Sequence, residues 1–357
     1  MTNAADDHRM RVITLGTAGG PRWWKPDGQD RAGIATAVAV GDRFYLVDAG
    51  DGVGRRIRQA GLDLSNLGGI FLTHLHSDHT IGLPALAVFG MHELQGRSTH
   101  PVPIVGPGDR GALPPVSPRA AVAPRPVAAD DPTPGTVGLV HGIVRAFATD
   151  LNDRVLDSLR RHPLELMDPR DIAIPSGIGY HPNLAPTPDM EPFVVFEDDR
   201  VRVSAILVEH PPIAPAFAFR IDAEEGSVTF SGDTCETDNL VRLARDTDLL
   251  LHEAIDFEWV DGLYGARTDE EGRASRDHHY KSHTSVEGAC RVAERAGARR
   301  LALHHLVPGH TDASVWARGE ALLPGRFLVP ADLDVISPRP DGRRVPTPAL
   351  EAASFPV

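Results

Sequence analysis

A chain of 357 residues and 38.4 kDa is too long for a minimal domain and can bury a sizeable core as one large or two ordinary domains. Its 41% hydrophobic and 24% charged residues exclude a disordered, collagenous or coiled-coil chain, and a formal net charge of -13 disfavours nucleic acid and anionic membranes as partners. The start MTNAADDHRM is acidic at Asp6 and Asp7 rather than basic and then apolar, and no run approaches a membrane span, so a soluble cytoplasmic protein is expected.

From the N-terminus, strand-like segments at 11–15, 35–40, 44–47 and 70–73 alternate with a helix-like stretch at 53–60, which predicts a layered α/β arrangement. GTAGGP at 16–21 supplies glycines for tight turns and close approach, and Trp23 and Trp24 behind it read as a packed edge rather than a binding wall. From residue 100 to residue 192 the texture changes: 17 of the 31 prolines fall here, with few periodic apolar runs. This predicts an inserted cap of loops and short helices, one of them at 155–166. Strand patterns resume at 193–196, 201–208, 216–221 and 227–230. A helix at 238–244, a strand at 249–252, a helix at 285–296 behind a Thr/Ser cap and a strand at 301–304 follow.

Histidine is the outlier, with 17 in the chain and seven of them between His252 and His310. The strand at 69–73 runs into THLHSDHTIG, which presents His74, His76, Asp78 and His79 on the loop leaving a strand end. Two imidazoles two residues apart can converge on one ion while the Asp and the adjacent His face a second. Such nitrogen and carboxylate sets suit zinc with a position left open for water. Three more apolar strands stop at His210, Asp233 and His305; singly these are ordinary strand-end or turn residues, and together they complete two metal spheres. His304 and His305 compete for the last place, because adjacent residues do not share a face. Cys235 and Cys290 are too few for a disulfide framework or a Cys-based zinc ribbon.

This order, HxHxDH and then a distant His, an Asp and a last His, resembles the metallo-β-lactamase superfamily over residues 12–309 apart from the 100–192 insertion. YLVDAGDG, LLLHEA and KSHTSVEGA are similar to its ribonuclease Z and arylsulfatase-like branch. The resemblance implies an α/β fold, an αβ/βα sandwich of two mixed sheets flanked by helices, with metals at one edge. Residues 1–337 would be a single domain carrying the Pro-rich cap insertion at about 100–192, and 338–357 an irregular tail. It further implies a metal-dependent hydrolase with two Zn2+ per chain, manganese or iron also suiting the ligand types. The first ion would take His74, His76, His210 and Asp233, and the second Asp78, His79, Asp233 and His305, with Asp48 orienting a ligand histidine. His283 in SHTS resembles the branch's catalytic histidine, Asp78 joins it among the catalytic residues, and Glu253 either orients His283 or ties down a loop. His278, His279 and Lys281 read as a polar surface loop.

A two-metal centre acidifies a bridging water, so hydroxide can attack a phosphodiester, a sulfate ester, a carboxylic ester or a lactone. The branch resemblance implies a phosphodiester or arylsulfate-like ester and a homodimer, and the Pro-rich cap in the 131-residue interval from His79 to His210 is expected to roof the metals and select a small-molecule substrate. The alternative, a lactonase or carboxylic-ester hydrolase, needs an apolar cap pocket, for which Leu83, Phe89, Met91, Ile172 and Phe217 are candidates. A tRNA 3'-processing endonuclease is disfavoured: ribonuclease Z enzymes carry a tRNA-gripping arm between the third metal motif and the bridging Asp, and here His210 and Asp233 are 23 residues apart. A non-hydrolytic metal-binding protein fits less well, because the catalytic-type His283 is present.

Overall fold

The computed structural model describes residues 10–25, 31–97 and 100–339. The first sheet begins with β1 (Arg11–Gly16), β2 (Ala35–Val40), β3 (Arg43–Val47), β4 (Leu67–Phe71), β5 (Val102–Pro107) and β6 (Met167–Ile172), hydrogen-bonded in that order. β1 to β3 are antiparallel and β3 to β6 parallel. The second sheet holds β7 (Phe193–Glu197), β8 (Arg202–Leu207), β9 (Phe217–Ala223), β10 (Gly226–Phe230), β11 (Leu249–Ile255), β12 (Leu301–Val307) and β13 (Phe327–Leu328). Here β7 to β10 are antiparallel and β10 to β13 parallel. β14 (Val335–Ile336) returns to pair with β1.

Strands such as ATAVAV and LALHHLV are buried at every position because both faces of each sheet are covered. Between the sheets, Val38, Tyr45 and Phe71 of the first meet Val203, Phe219 and Phe230 of the second in one core. Leu83–Val88 and Thr136–Ala146 cover the outer face of the first sheet. Val286–Ala296 covers the second; the Ser285 hydroxyl accepts the Gly288 N–H at its start, and left-handed Gly297 ends it.

The stretch expected to be one inserted cap instead contributes β5, β6 and the helix Thr136–Ala146 to the sandwich. Pro103, Pro107 and Pro169 concealed the strands; β6 lies at the sheet edge, where proline is tolerated. The single helix expected at 155–166 is a wide turn at Asp153–Asp157 followed by a separate short helix, Pro163–Leu166, because left-handed Leu159 breaks the first and Pro163 starts the second. Most of the expected tail, residues 340–357, lies outside the described residues, as do Asp6 and Asp7. Among the described residues no helix is long and apolar enough to cross a membrane.

Parallel strands end on a common edge, so the turns after β3, β4, β10, β11 and β12 converge there. The Gly-rich loop after β1 is drawn to that edge by the bridge of Ala18 to Leu306. Half-buried Asp332 anchors the same loop, accepting the Thr17 N–H at 3.0 Å and the Ala32 N–H at 2.6 Å and pairing with Arg56.

Candidate metal centre

His79 and His210 at this edge are each aimed by a hydrogen bond to the far nitrogen. Asp48 follows β3 with a left-handed φ of 58°, and its carboxylate accepts the Thr73 N–H at 2.8 Å, the Thr73 hydroxyl and Nδ1–H of His79 at 2.8 Å. That leaves Nε2 of His79 facing Asp233 Oδ1 at 3.3 Å and Asp78 Oδ2 at 3.6 Å. Nδ1–H of His210 donates to the Ser282 carbonyl at 2.8 Å, leaving Nε2 3.2 Å from His76 Nδ1. His74 Nε2 lies 3.0 Å from the same His76 nitrogen.

His305 is the extra residue of a bulge, since Glu253 pairs with His304 and Ala254 with Leu306. Its left-handed φ of 47° turns Nε2 to within 3.3 Å of both Asp78 Oδ2 and Asp233 Oδ2. His304 packs instead against Phe230, away from these carboxylates. Gly19 makes room for the His305 ring, which a Cβ there would meet at 2.3 Å, and the Gly20 N–H donates to Asp78 Oδ2 at 2.8 Å.

The structure thus brings together His74, His76 and His210 in one group and Asp78, His79 and His305 in another, with Asp233 between them. In a tetrahedral site with bonds of about 2.0–2.1 Å, ligand atoms stand about 3.3 Å apart, and the separations here, from 3.0 Å between His74 and His76 to 3.7 Å between His210 Nε2 and Asp233 Oδ2, scatter about that value. His79 Nε2 and Asp233 Oδ1 are buried without a hydrogen-bond partner, as atoms reserved for an ion would be. Burial holds His74, His76 and His210 below the ordinary imidazole range, the neutral form that ligates. Burial disfavours the charge on His79 too, but Asp233, Asp48 and Asp78 outweigh it and raise its pKa well above the ordinary value.

His283 and Glu253 adjoin the cluster. Nδ1–H of His283 donates to Glu253 Oε1 at 3.0 Å and lies 3.9 Å from Asp233 Oδ2. The Thr234 N–H donates to the same Glu253 oxygen at 2.9 Å, so that oxygen accepts from both, while burial raises the Glu253 pKa. Burial opposes the imidazolium, but Glu253 overcomes it and pushes His283 up to about 9.

A cavity of about 260 Å³ opens over Asp78, Asp233 and His305. Its rim holds Trp24 and Trp259, with the Arg22 guanidinium 5.9 Å from each ring and donating to the Tyr264 hydroxyl at 3.2 Å. Trp24 is therefore a wall of the site rather than a packed edge, while Trp23 is 93% exposed. His278 and His279 also line this cavity; they sit half-buried on the helix Glu270–Ser282, not on a surface loop, and only Lys281 is exposed as expected. Arg22, Trp259 and the helix were missed because their residues lie far apart in sequence and the helix has no apolar stripe.

The model of the beta-lactamase superfamily domain matches residues 131–306, and that of the anti-Pycsar protein Apyc1 family matches residues 36–102. A ribonuclease Z of Mycobacterium sp. strain KMS is 30% identical over 299 residues, which span 84% of this chain and 85% of that protein. The chain belongs to the metallo-β-lactamase superfamily. A ribonuclease Z of Mycobacterium bovis BCG Pasteur is 29% identical across 93% of this chain and 99% of its own length. The crystal structure of the short form of human tRNase Z shares the fold, with a TM-score of 0.59 at 22% identity over 92% of this chain and 99% of that one. With these homologues, the superfamily fold makes the chain a metal-dependent hydrolase.

Proposed function

We propose that this protein hydrolyses phosphodiesters at a two-zinc centre, one ion held by His74, His76, His210 and Asp233 and the other by Asp78, His79, Asp233 and His305. The observation that carries this reading is Asp233 shared between two ligand groups with His283 beside it. When bound, the two ions supply an acidified water and neutralise charge developing on the ester. Asp48, Ser282 and Gly20 hold His79, His210 and Asp78 in the orientations needed. Glu253 keeps His283 protonated through Nδ1, so its other nitrogen can deliver a proton to the leaving oxygen. Arg22 brings a cation to the rim, where it meets an oxygen of the phosphate.

The relatives' name, ribonuclease Z, shares the phosphodiester but stands against the small-molecule ester expected from the sequence. Supporting a small substrate, the interval from His210 to Asp233 is taken up by β9 and β10, joined through a two-residue turn, Glu224-Glu225, with no arm between them. Arylsulfates fit the same rim. One feature favours a lactone or carboxylic ester, an apolar cleft beside His76; it is lined by prolines, Leu75, Leu139 and Ile213, and by none of Leu83, Phe89, Met91, Ile172 and Phe217.

The test is hydrolysis of bis(p-nitrophenyl) phosphate by zinc-loaded protein at neutral pH against a chelated control. Turnover abolished by the chelator is expected. No turnover from protein carrying two zinc ions overturns the phosphodiester reading in favour of sulfate esters or lactones. A precursor tRNA with a 3' extension, assayed alongside, decides the size of the substrate.

A further inference from the structure

We infer that the substrate carries an apolar group, which lodges in the cleft on the Leu75 side of His76; the inference rests on the phosphodiesterase reading. The cleft measures about 390 Å³, and among the described residues His76 alone lines both it and the cavity over Asp78 and His305. A group joined through one ester oxygen therefore passes directly from the reacting centre into the cleft.

Its lining explains why that group is apolar. The walls are Leu75, Leu139, Ile213 and the prolines of the loops at 107–134 and 212–215. The polar side chains among them are engaged elsewhere. The Arg110 guanidinium donates to the carbonyls of Pro212 and Pro182 and to Asn183 Oδ1, leaving only its buried Nε–H unbonded. The Thr133 hydroxyl donates to Asp109 at 2.8 Å, and His76 turns Nδ1 to His74 and His210. With the Arg110 and Thr133 donors already engaged, the cleft offers little to read the edge of a nucleobase or the hydroxyls of a sugar, whereas a phenyl ring or short alkyl chain sheds water there. Arg110 clasps three loops together, so the cleft is formed in advance and little ordering opposes binding.

The experiment is calorimetric titration of zinc-loaded protein with phenylphosphonate and with methylphosphonate. Phenylphosphonate is expected to bind roughly ten- to a hundredfold more tightly, with a negative heat-capacity change. In Ile213→Asn and in Leu139→Asn the ratio of the two affinities should fall toward one, and Ile213→Val should restore it. Because both affinities come from one sample, a partly unfolded variant does not disturb the ratio. Equal affinities in the parent protein, or a phenyl preference kept in both polar variants, would overturn the cleft assignment; the second outcome would place the ring at Trp24 and Trp259 instead. Turnover of phenyl and methyl p-nitrophenyl phosphate separates the two claims. A phenyl preference in binding without turnover of either diester sinks the phosphodiester reading and leaves the cleft standing, while turnover of both diesters with equal phosphonate affinities does the reverse.

Discussion

The floor of the site and its roof are built from different material. On the floor, His74, His79, His210, Asp233 and Glu253 are buried at strand ends, and most are held by a hydrogen bond to backbone or to a buried carboxylate. The roof consists of Arg22 and Trp24 from a loop, Trp259 and His278 from helices, and Pro-rich loops gathered by one arginine, most of them half-buried or exposed. The sandwich thus fixes where ions and protons stand, while the groups that meet the rest of the substrate can change without moving them.

Substitutions should divide along the same line. On the floor, Asp233→Asn removes the charge common to both ligand groups and should lower metal content at both, with turnover reduced by about a thousandfold or more. Elemental analysis finding two ions retained would break the shared-ligand assignment. His283→Ala should keep both metals yet cut kcat by about a hundredfold or more, the usual worth of a positioned acid; unchanged turnover would demote His283 to a structural role.

Glu253→Gln sharpens the comparison through pH. Glu253 raises His283 to about 9, so the protonated acid is present below that value and is lost as pH rises through it. Without the carboxylate charge, the basic limb of the pH–rate profile should move down by about one unit or more. A limb that stays in place would show that Glu253 only secures its loop. On the roof, Trp259→Ala should raise KM about three- to tenfold, more than it lowers kcat, with metal content intact. A kcat loss as large as that of His283→Ala would erase the distinction between floor and roof.

The floor was legible in the sequence because its chemistry is local: four ligands fall within six residues, and the others each stop an apolar strand. The strands of the sandwich were legible for the same reason, their apolar runs being bounded by turns. β5 and β6 were not, since Pro103, Pro107 and Pro169 disguise short strands that parallel pairing alone defines. The helix Glu270–Ser282 buries only Gly272 and Ser282, so it carries no periodic apolar signal, and His278 and His279 read as surface. The rim joins Arg22, Trp24 and Trp259 across more than two hundred residues, a proximity that arises from tertiary contacts such as the bridge of Ala18 to Leu306.

The three carboxylates around His79 make metal uptake an exchange. His74, His76 and His210 are already neutral and can receive an ion without proton traffic, whereas His79 must first surrender the proton that Asp233, Asp48 and Asp78 hold on it. The centre should therefore lose metal affinity by up to about tenfold for each unit of acidification. Zinc titrations in buffers of different ionisation heat would show that proton leaving as the centre fills.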